Sequence, residues 1–403
     1  MSRRHRVGPL ATAPEKPVTE PGGAWDVDAL LDDRSIEILV CCGSGGVGKT
    51  TTAASLALRA AERGRKVVVL TIDPARRLAQ SLGIETLDNT PRPVQGLDTS
   101  AGGSLDAMML DMKRTFDEVV LSQTSPEKAR AILENPFYVA LSSSFAGTQE
   151  YMAMEKLGQV HRDAAKAGTY DLVVVDTPPS RSALDFLDAP ERLSSFLDGR
   201  LLRILLAPAK GPAKLLTAGL GIVTGAIQKV LGAQFLGDLQ VFIAAFDTLF
   251  GGFRARAEQT YALLKDSPTR FVVVASPEAD ALREAAYFVE RLAQDRMPLA
   301  GLVVNRATHV PVPSIGADAA GAAALKLRPG VTSGLLQIQA DRARAAQTQR
   351  RVVRRFAVAH PQVTVTTVRA LATDVHDLDG LRMVGGLLAA GPDDVAPEPV
   401  KAS

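Results

Sequence analysis

The chain has 403 residues, 46% of them apolar, and a formal net charge of +2. That length exceeds the ~150-residue prior for one domain and implies one large α/β domain with an insertion, or two domains. The apolar share is ample for a sizeable core. The near-neutral balance argues against nucleic acid or an anionic membrane surface as a partner.

Residues 1–34 lead off with Pro, Gly and charge and lack an apolar h-region. They are expected to be a disordered tail without a signal peptide. The ordered core is expected to start at residue 35 and to run, in its first part, to 194. Ile36–Cys42 is an apolar run that predicts a buried strand. Gly43-Ser44-Gly45-Gly46-Val47-Gly48-Lys49-Thr50 follows and satisfies the phosphate-loop pattern G-x-x-x-x-G-K-[ST]. Thr51 to Arg63 is rich in Ala and Leu, with Gly64 placed to end a helix. Strand, glycine loop and helix aim backbone N–H groups and a helix N-terminus at phosphates. The nucleotide cradle is therefore expected to comprise residues 43–51, including Thr51. Within it, Lys49 should reach the β- and γ-phosphates and Thr50 should place its hydroxyl on Mg²⁺.

The only cysteines are Cys41 and Cys42. Adjacent residues of a buried strand point to opposite faces, which disfavours a metal site or a structural disulfide. The pair is compatible with a reducing cytosol, so a cytoplasmic location is expected.

Lys66–Ile72 predicts the second strand, and Asp73-Pro74-Ala75 follows it. An aspartate there can face a γ-phosphate and polarise an attacking water; the alternative is an N-cap for the next helix. Leu172–Asp176 is an apolar strand ending in a carboxylate suited to Mg²⁺, directly or through water. A capping or turn aspartate is its alternative. Pro178-Pro179 then prevents an immediate helix and suits a rigid switch loop.

Residues 195–260 carry many Leu, Ile, Val and Phe at helical spacing with few charges. The charge-free run from Leu215 to Gln228 is too short for a membrane span, which needs ~20 residues. An inserted helical subdomain is expected there, with no integral membrane segment. The second part of the core is expected over 261–390, with strands at Phe271–Ala275, Leu299–Asn305 and Val363–Val368. Near-continuous apolar strands alternating with helices predict a parallel sheet covered on both faces. The candidates Lys49, Asp73, Asp176 and Asn305 all fall at or just past C-terminal strand ends, where open α/β sheets bind ligands. Asn305 has the donor and acceptor needed to read adenine, or is a turn residue. Thr308 to Gly334, rich in Ala, Pro and Gly, predicts a flexible insertion. Arg350, Arg351, Arg354 and Arg355 predict a solvated helix face. Residues 391–403 predict a second disordered tail.

The P-loop, the Asp73-Pro74-Ala75 and Asp176-Thr177-Pro178-Pro179 switches, Pro277-Glu278 and Val304-Asn305-Arg306 occur in order. Together with Ala107–Asp111 and Asp374–Leu378 they resemble the ArsA family of deviant-Walker ATPases over roughly residues 35–385. That family includes arsenite-pump ATPases and targeting ATPases for tail-anchored membrane proteins. The resemblance implies a SIMIBI-type P-loop NTPase fold, ATP and Mg²⁺ as ligands, and a dimer. It also implies that Asp73 activates water, that Asp176 is the switch II partner of Mg²⁺, and that Asn305 reads adenine. A helical, often client-binding, subdomain would lie at 195–260 and offer a surface to a hydrophobic client.

Four features depart from the family pattern. Ser44 replaces the signature lysine that reaches across the dimer. Arg77 replaces the switch I asparagine, and Arg181-Ser182 replaces the switch II Gly-His pair. No Cys-x-x-Cys pair or cysteine triad exists for zinc or arsenite. This combination looks most like the paired actinobacterial ArsA-like ATPases. It implies either a homodimer, with Arg76, Arg77 or Arg181 supplying the missing cation, or a heterodimer with a lysine-bearing paralogue. The alternative is a weakly hydrolysing regulatory partner of another ATPase, or a targeting factor for hydrophobic clients. The apolar insertion and the near-neutral charge weigh against a DNA-partitioning ATPase.

Overall fold

The apolar run ahead of the glycine loop forms β1, Ile38–Gly43, and all six residues are buried. The computed structural model that contains it describes residues 25–73, 77–136, 138–139, 142, 148–178, 255–311 and 315–390. The other strands are β2 Lys66–Thr71, β3 Arg92–Pro93, β4 Ser104–Met109, β5 Leu172–Asp176, β6 Thr269–Ala275, β7 Leu299–Ala307 and β8 Val365–Arg369. They form one eight-stranded sheet in the order β3-β4-β2-β5-β1-β6-β7-β8. Every pairing is parallel except that of β3 with β4. This is the doubly covered parallel sheet predicted from the apolar runs.

Alternate residues of β1 enter two separate cores. Ile38, Val40 and Cys42 pack on one face, and Leu39 and Cys41 on the other. The first core is closed by α4 (Met112–Gln123), α6 (Thr148–Ala167), α7 (255–265), α8 (Ala279–Gln294) and part of α10 (Val331–Ala359). The second is closed by α1 (Val27–Asp32), α2 (Lys49–Glu62), α3 (Arg77–Ser81) and α11 (Leu378–Ala390). The helices α5 (Pro126–Leu133) and α9 (Ala317–Lys326) complete the set named here. Both thiols are free and buried, one in each core. Burial raises both, Cys42 to about 12, so neither is poised as a nucleophile.

Three sequence expectations are corrected. The N-terminal tail does not extend to residue 34, because Asp26 caps α1 through Ala29 N–H and buries Val27 and Leu31 in the second core. Arg65, only 1% exposed, fixes this segment from below. Its guanidinium donates to the carbonyls of Leu31, Asp33, Ile36 and Asp171, and to the Asp171 carboxylate at 2.9 Å. Thr308 to Gly334 is not simply a flexible insertion, since it holds α9 and the start of α10, packed together as a helical pair. Its alanines are helix formers, and that propensity prevails over the flanking Pro and Gly.

The third correction concerns the boundary at 260/261. Residues 179–254 lie outside the described residues, and with them most of the expected 195–260 insertion. Residues 255–260 belong to α7, whose Ala257 and Leu264 are buried in the first core and whose Arg256 binds Glu155 at 2.7 Å. They are part of the sheet-covering layer. The arginine face of α10 is exposed at residues 350, 351, 354 and 355, as its charge pattern predicted. No helix among the described residues is long and apolar enough to cross a membrane.

Candidate nucleotide-binding site

The glycine loop leaves the sheet where side chains cannot follow. Gly43 has φ +149°, and a Cβ there would stand 2.1 Å from the carbonyl oxygen of Val274 on β6. Gly46 and Gly48 also have positive φ, +77° and +93°, conformations that cost other residues free energy. Gly48 is the N-cap of α2, so the helix begins at Lys49 with its free N–H groups at the loop. Lys49 is buried and donates from Nζ to the Ser44 carbonyl at 2.8 Å, which lays its ammonium across the inside of the loop. Burial lowers its pKa, and the nearby Asp176, Cys42 and Asp73 oppose that shift.

The strand ends bring the carboxylates beside the lysine. Asp176 pairs in register with Cys41 of β1 and with Thr71 of β2. It is fully buried. Its Oδ2 accepts from Thr50 Oγ1 at 2.8 Å and from Thr71 Oγ1 at 2.9 Å. Its Oδ1 is buried without a hydrogen-bond partner among the described residues. Burial pushes the carboxyl up to about 6, while the Thr50 and Thr71 bonds and the Lys49 charge pull it down and Asp73 pushes it further up. Asp73 is half-buried, and its N–H donates to Thr71 Oγ1 at 3.2 Å. Thr71 therefore links the backbone of Asp73 to the side chain of Asp176.

A buried carboxylate oxygen without a hydrogen, beside a threonine hydroxyl, is a hard oxygen donor set that suits Mg²⁺. The residues fit the ion that the loop pattern implies. Thr177 closes this end of the sheet by donating from Oγ1 to the Cys41 carbonyl at 2.9 Å.

Asn305 lies at the end of β7, beside the loop rather than beyond it. Its Nδ2 donates to the Val47 carbonyl at 2.9 Å, and its Oδ1 accepts from Arg306 N–H at 2.9 Å. Arg306 holds φ +61° and donates from Nη1 to the Gly46 carbonyl at 3.0 Å. On this outer side a cleft of about 390 Å³ runs between residues 44–47, Pro277-Glu278 and Arg306. Lys49, Thr50 and Asp176 do not line it. Thr51 is half-buried in the first turn of α2. Arg77 is exposed at the start of α3, whereas Arg76, Arg181 and Ser182 lie outside the described residues.

The structure thus gathers Lys49, Thr50, Asp73 and Asp176 at one end of the parallel sheet and sets Asn305 against the loop. Sequence reasoning missed Thr71 and Arg306. Thr71 reads as one more β-branched strand residue, and Arg306 as the residue after a candidate asparagine. Only the register of β2 with β5, and the proximity of β7 to the loop, expose their partners.

A glycine loop capping a helix, with a buried strand-end aspartate bonded to the loop threonine, defines the P-loop nucleotide hydrolases. The profile of the anion-transporting ATPase family, ArsA, matches residues 36–314. The chain belongs to that family and is an ATPase. Among its relatives is ATPase GET3 of Podospora anserina, 29% identical over 283 residues, or 70% of this chain and 76% of that protein. ATPase GET3 of Malassezia globosa is 26% identical over 285 residues, with 70% and 76% covered. ATPase GET3C of Arabidopsis thaliana is 26% identical over 314 residues, with 75% and 73% covered.

Proposed function

We propose that the chain is a Mg²⁺-dependent, nucleotide-switched ATPase that works as a dimer in the cytoplasm. The observation that carries this reading is the bonded chain from Asp73 N–H through Thr71 to Asp176 and Thr50. It ties the backbone of Asp73 and the carboxylate of Asp176 to the residue that follows the loop lysine. The amides of residues 43–51 and the Lys49 ammonium hold the phosphates. Thr50 and Asp176 would hold Mg²⁺, which when bound offsets charge on the β- and γ-phosphoryl oxygens. Asp73 orients the attacking water and accepts its proton. Asn305 keeps one amide hydrogen and one lone pair for the adenine base.

Ser44 favours a second element of the reading. It carries no charge with which to serve a partner's nucleotide. A lysine-bearing paralogue would supply that cation to this chain's site, and hydrolysis would be faster in the mixed dimer than in the chain alone. The same serine also supports the rival role of a weakly hydrolysing regulatory partner. The segment 195–254 is proposed as the helical subdomain that moves with nucleotide state and meets a hydrophobic client. Its low charge density in the sequence supports this.

Phosphate release by the parental chain and by Ser44→Lys tests the reading. Slow turnover that rises at least ~10-fold in Ser44→Lys supports the missing-cation argument. Fast parental turnover with no gain favours a cation from within the homodimer, with Arg77 as the first replacement to make.

A further inference from the structure

Two carbonyls on the outside of the phosphate loop are held by consecutive residues that are distant in sequence. Gly46 O accepts from Arg306 Nη1 at 3.0 Å, and Val47 O accepts from Asn305 Nδ2 at 2.9 Å. A trans peptide is planar, with its C=O and the following N–H pointing in opposite directions. Fixing Gly46 O on the outside therefore turns Val47 N–H to the inside, and fixing Val47 O does the same for Gly48 N–H. Inward N–H groups are what a phosphate-binding loop presents to an anion. We propose that Asn305 and Arg306 are positioning residues that preset the loop amides for the phosphates, whatever base the nucleotide carries.

Two further features support a built clamp. Arg306 is one of two non-glycine residues with positive φ among the described residues. Such a conformation is costly and persists where surrounding contacts over-determine it. Here Asn305 Oδ1 accepts the Arg306 N–H and locks that backbone. The space is also reserved on the loop side. A Cβ at Gly48 would lie 2.2 Å from Asn305 Nδ2, so the last loop glycine is required by the clamp as well as by its own φ of +93°.

This proposal rests on reading residues 43–50 as the phosphate loop and goes beyond the adenine contact proposed for Asn305. A base contact and a clamp differ in what they do to an anion that has no base. Inorganic tripolyphosphate with Mg²⁺ is that probe, compared with ADP on the full chain by calorimetry. Arg306→Gly keeps the backbone conformation and removes the guanidinium, and Asn305→Ala removes the carboxamide. Arg306→Gly should weaken tripolyphosphate and ADP by the same factor, about fivefold to tenfold, the weight of a lost hydrogen bond, and Asn305→Ala should weaken tripolyphosphate by that factor and ADP by at least as much. Thermal stability of Arg306→Gly should stay at or above the parental value, because the strained φ is relieved.

A loss of ADP affinity with unchanged tripolyphosphate affinity overturns the clamp and leaves Asn305 a base reader. Unchanged affinity for both ligands overturns it too. If Asn305→Ala does not fold, Arg306→Gly decides alone. Lys49→Ala separates the two levels of inference. If it leaves tripolyphosphate binding intact, the loop reading itself fails. If it abolishes binding while the clamp variants bind normally, the clamp alone fails.

Discussion

Thr71 and Asp176 lie opposite each other on adjacent parallel strands, and the threonine hydroxyl donates to the carboxylate at 2.9 Å. The same hydroxyl oxygen accepts from Asp73 N–H at 3.2 Å. One side chain thus bonds both to the loop after β2 and to the carboxylate at the end of β5, the two segments proposed as switches.

Thr71→Val keeps shape and burial and removes both bonds. The expected result is a fall in kcat of about tenfold or more with ADP affinity changed less than about threefold. Steady-state turnover and ADP calorimetry check this. Parental kcat in the valine variant would show that the switches communicate by another route.

The Asp176 carboxyl is raised to about 6 by burial. A carboxyl whose folded-state pKa is raised is stabilising when protonated. Its contribution is fully present below about pH 4 and is lost as pH rises through about 6. In nucleotide-free, metal-free protein, Asp176→Asn should therefore be more stable than the parent at pH 7.5, by on the order of 2 kcal/mol. That advantage should shrink to about half at pH 5 and vanish only below about pH 4. Denaturant melts at the two pH values test it, and an asparagine variant that is less stable at pH 7.5 would contradict it. Adding Mg²⁺ should stabilise the parent and leave Asp176→Asn nearly unmoved.

Gly46 and Gly48 share positive φ but differ in surroundings. A Cβ at Gly46 meets nothing within 4 Å, whereas one at Gly48 meets Asn305 Nδ2 at 2.2 Å. Gly46→Ala should cost about 1 kcal/mol of stability, the backbone term alone. Gly48→Ala should cost at least about 2 kcal/mol more, because Asn305 must give up its bond to Val47. Equal losses in thermal unfolding would mean that Asn305 yields without penalty.

Arg65 is the buried cation that joins α1, β2 and the turn before β5, with its guanidinium shared among four carbonyls and Asp171. Arg65→Met removes the buried donor from these acceptors, of which the Asp171 carboxylate keeps Arg34 and the Asp33 carbonyl keeps Ile36 N–H, and should destabilise by about 3–5 kcal/mol. Urea unfolding measures this directly. A change below about 1 kcal/mol would place α1 as an independent appendage.

The strands next to the glycine loop were legible because each is a run rich in Val, Ile and Leu. β4 was not, since Ser104 and Asp106 interrupt its run and it lies near the sheet edge. Residues 25–34 were hidden by the composition of the preceding tail. Val27 and Leu31, four apart behind the Asp26 cap, were the available signal. The gathering of Lys49, Thr50, Asp73 and Asp176 at one end of the sheet followed from local motifs. The hydrogen bonds of Thr71, Asn305 and Arg306 did not, because each partner is set by the tertiary fold, in one case 258 residues away.

Hydrolysis by Asp73→Asn is the most direct test of the proposed chemistry. An amide cannot accept the proton of the attacking water, while it preserves size and the backbone bond to Thr71. Phosphate release should fall by at least about 100-fold while Mg²⁺-ATP affinity stays within about threefold of the parent. Turnover at the parental rate, with ATP bound normally, would contradict the assignment of Asp73 as the residue that activates water.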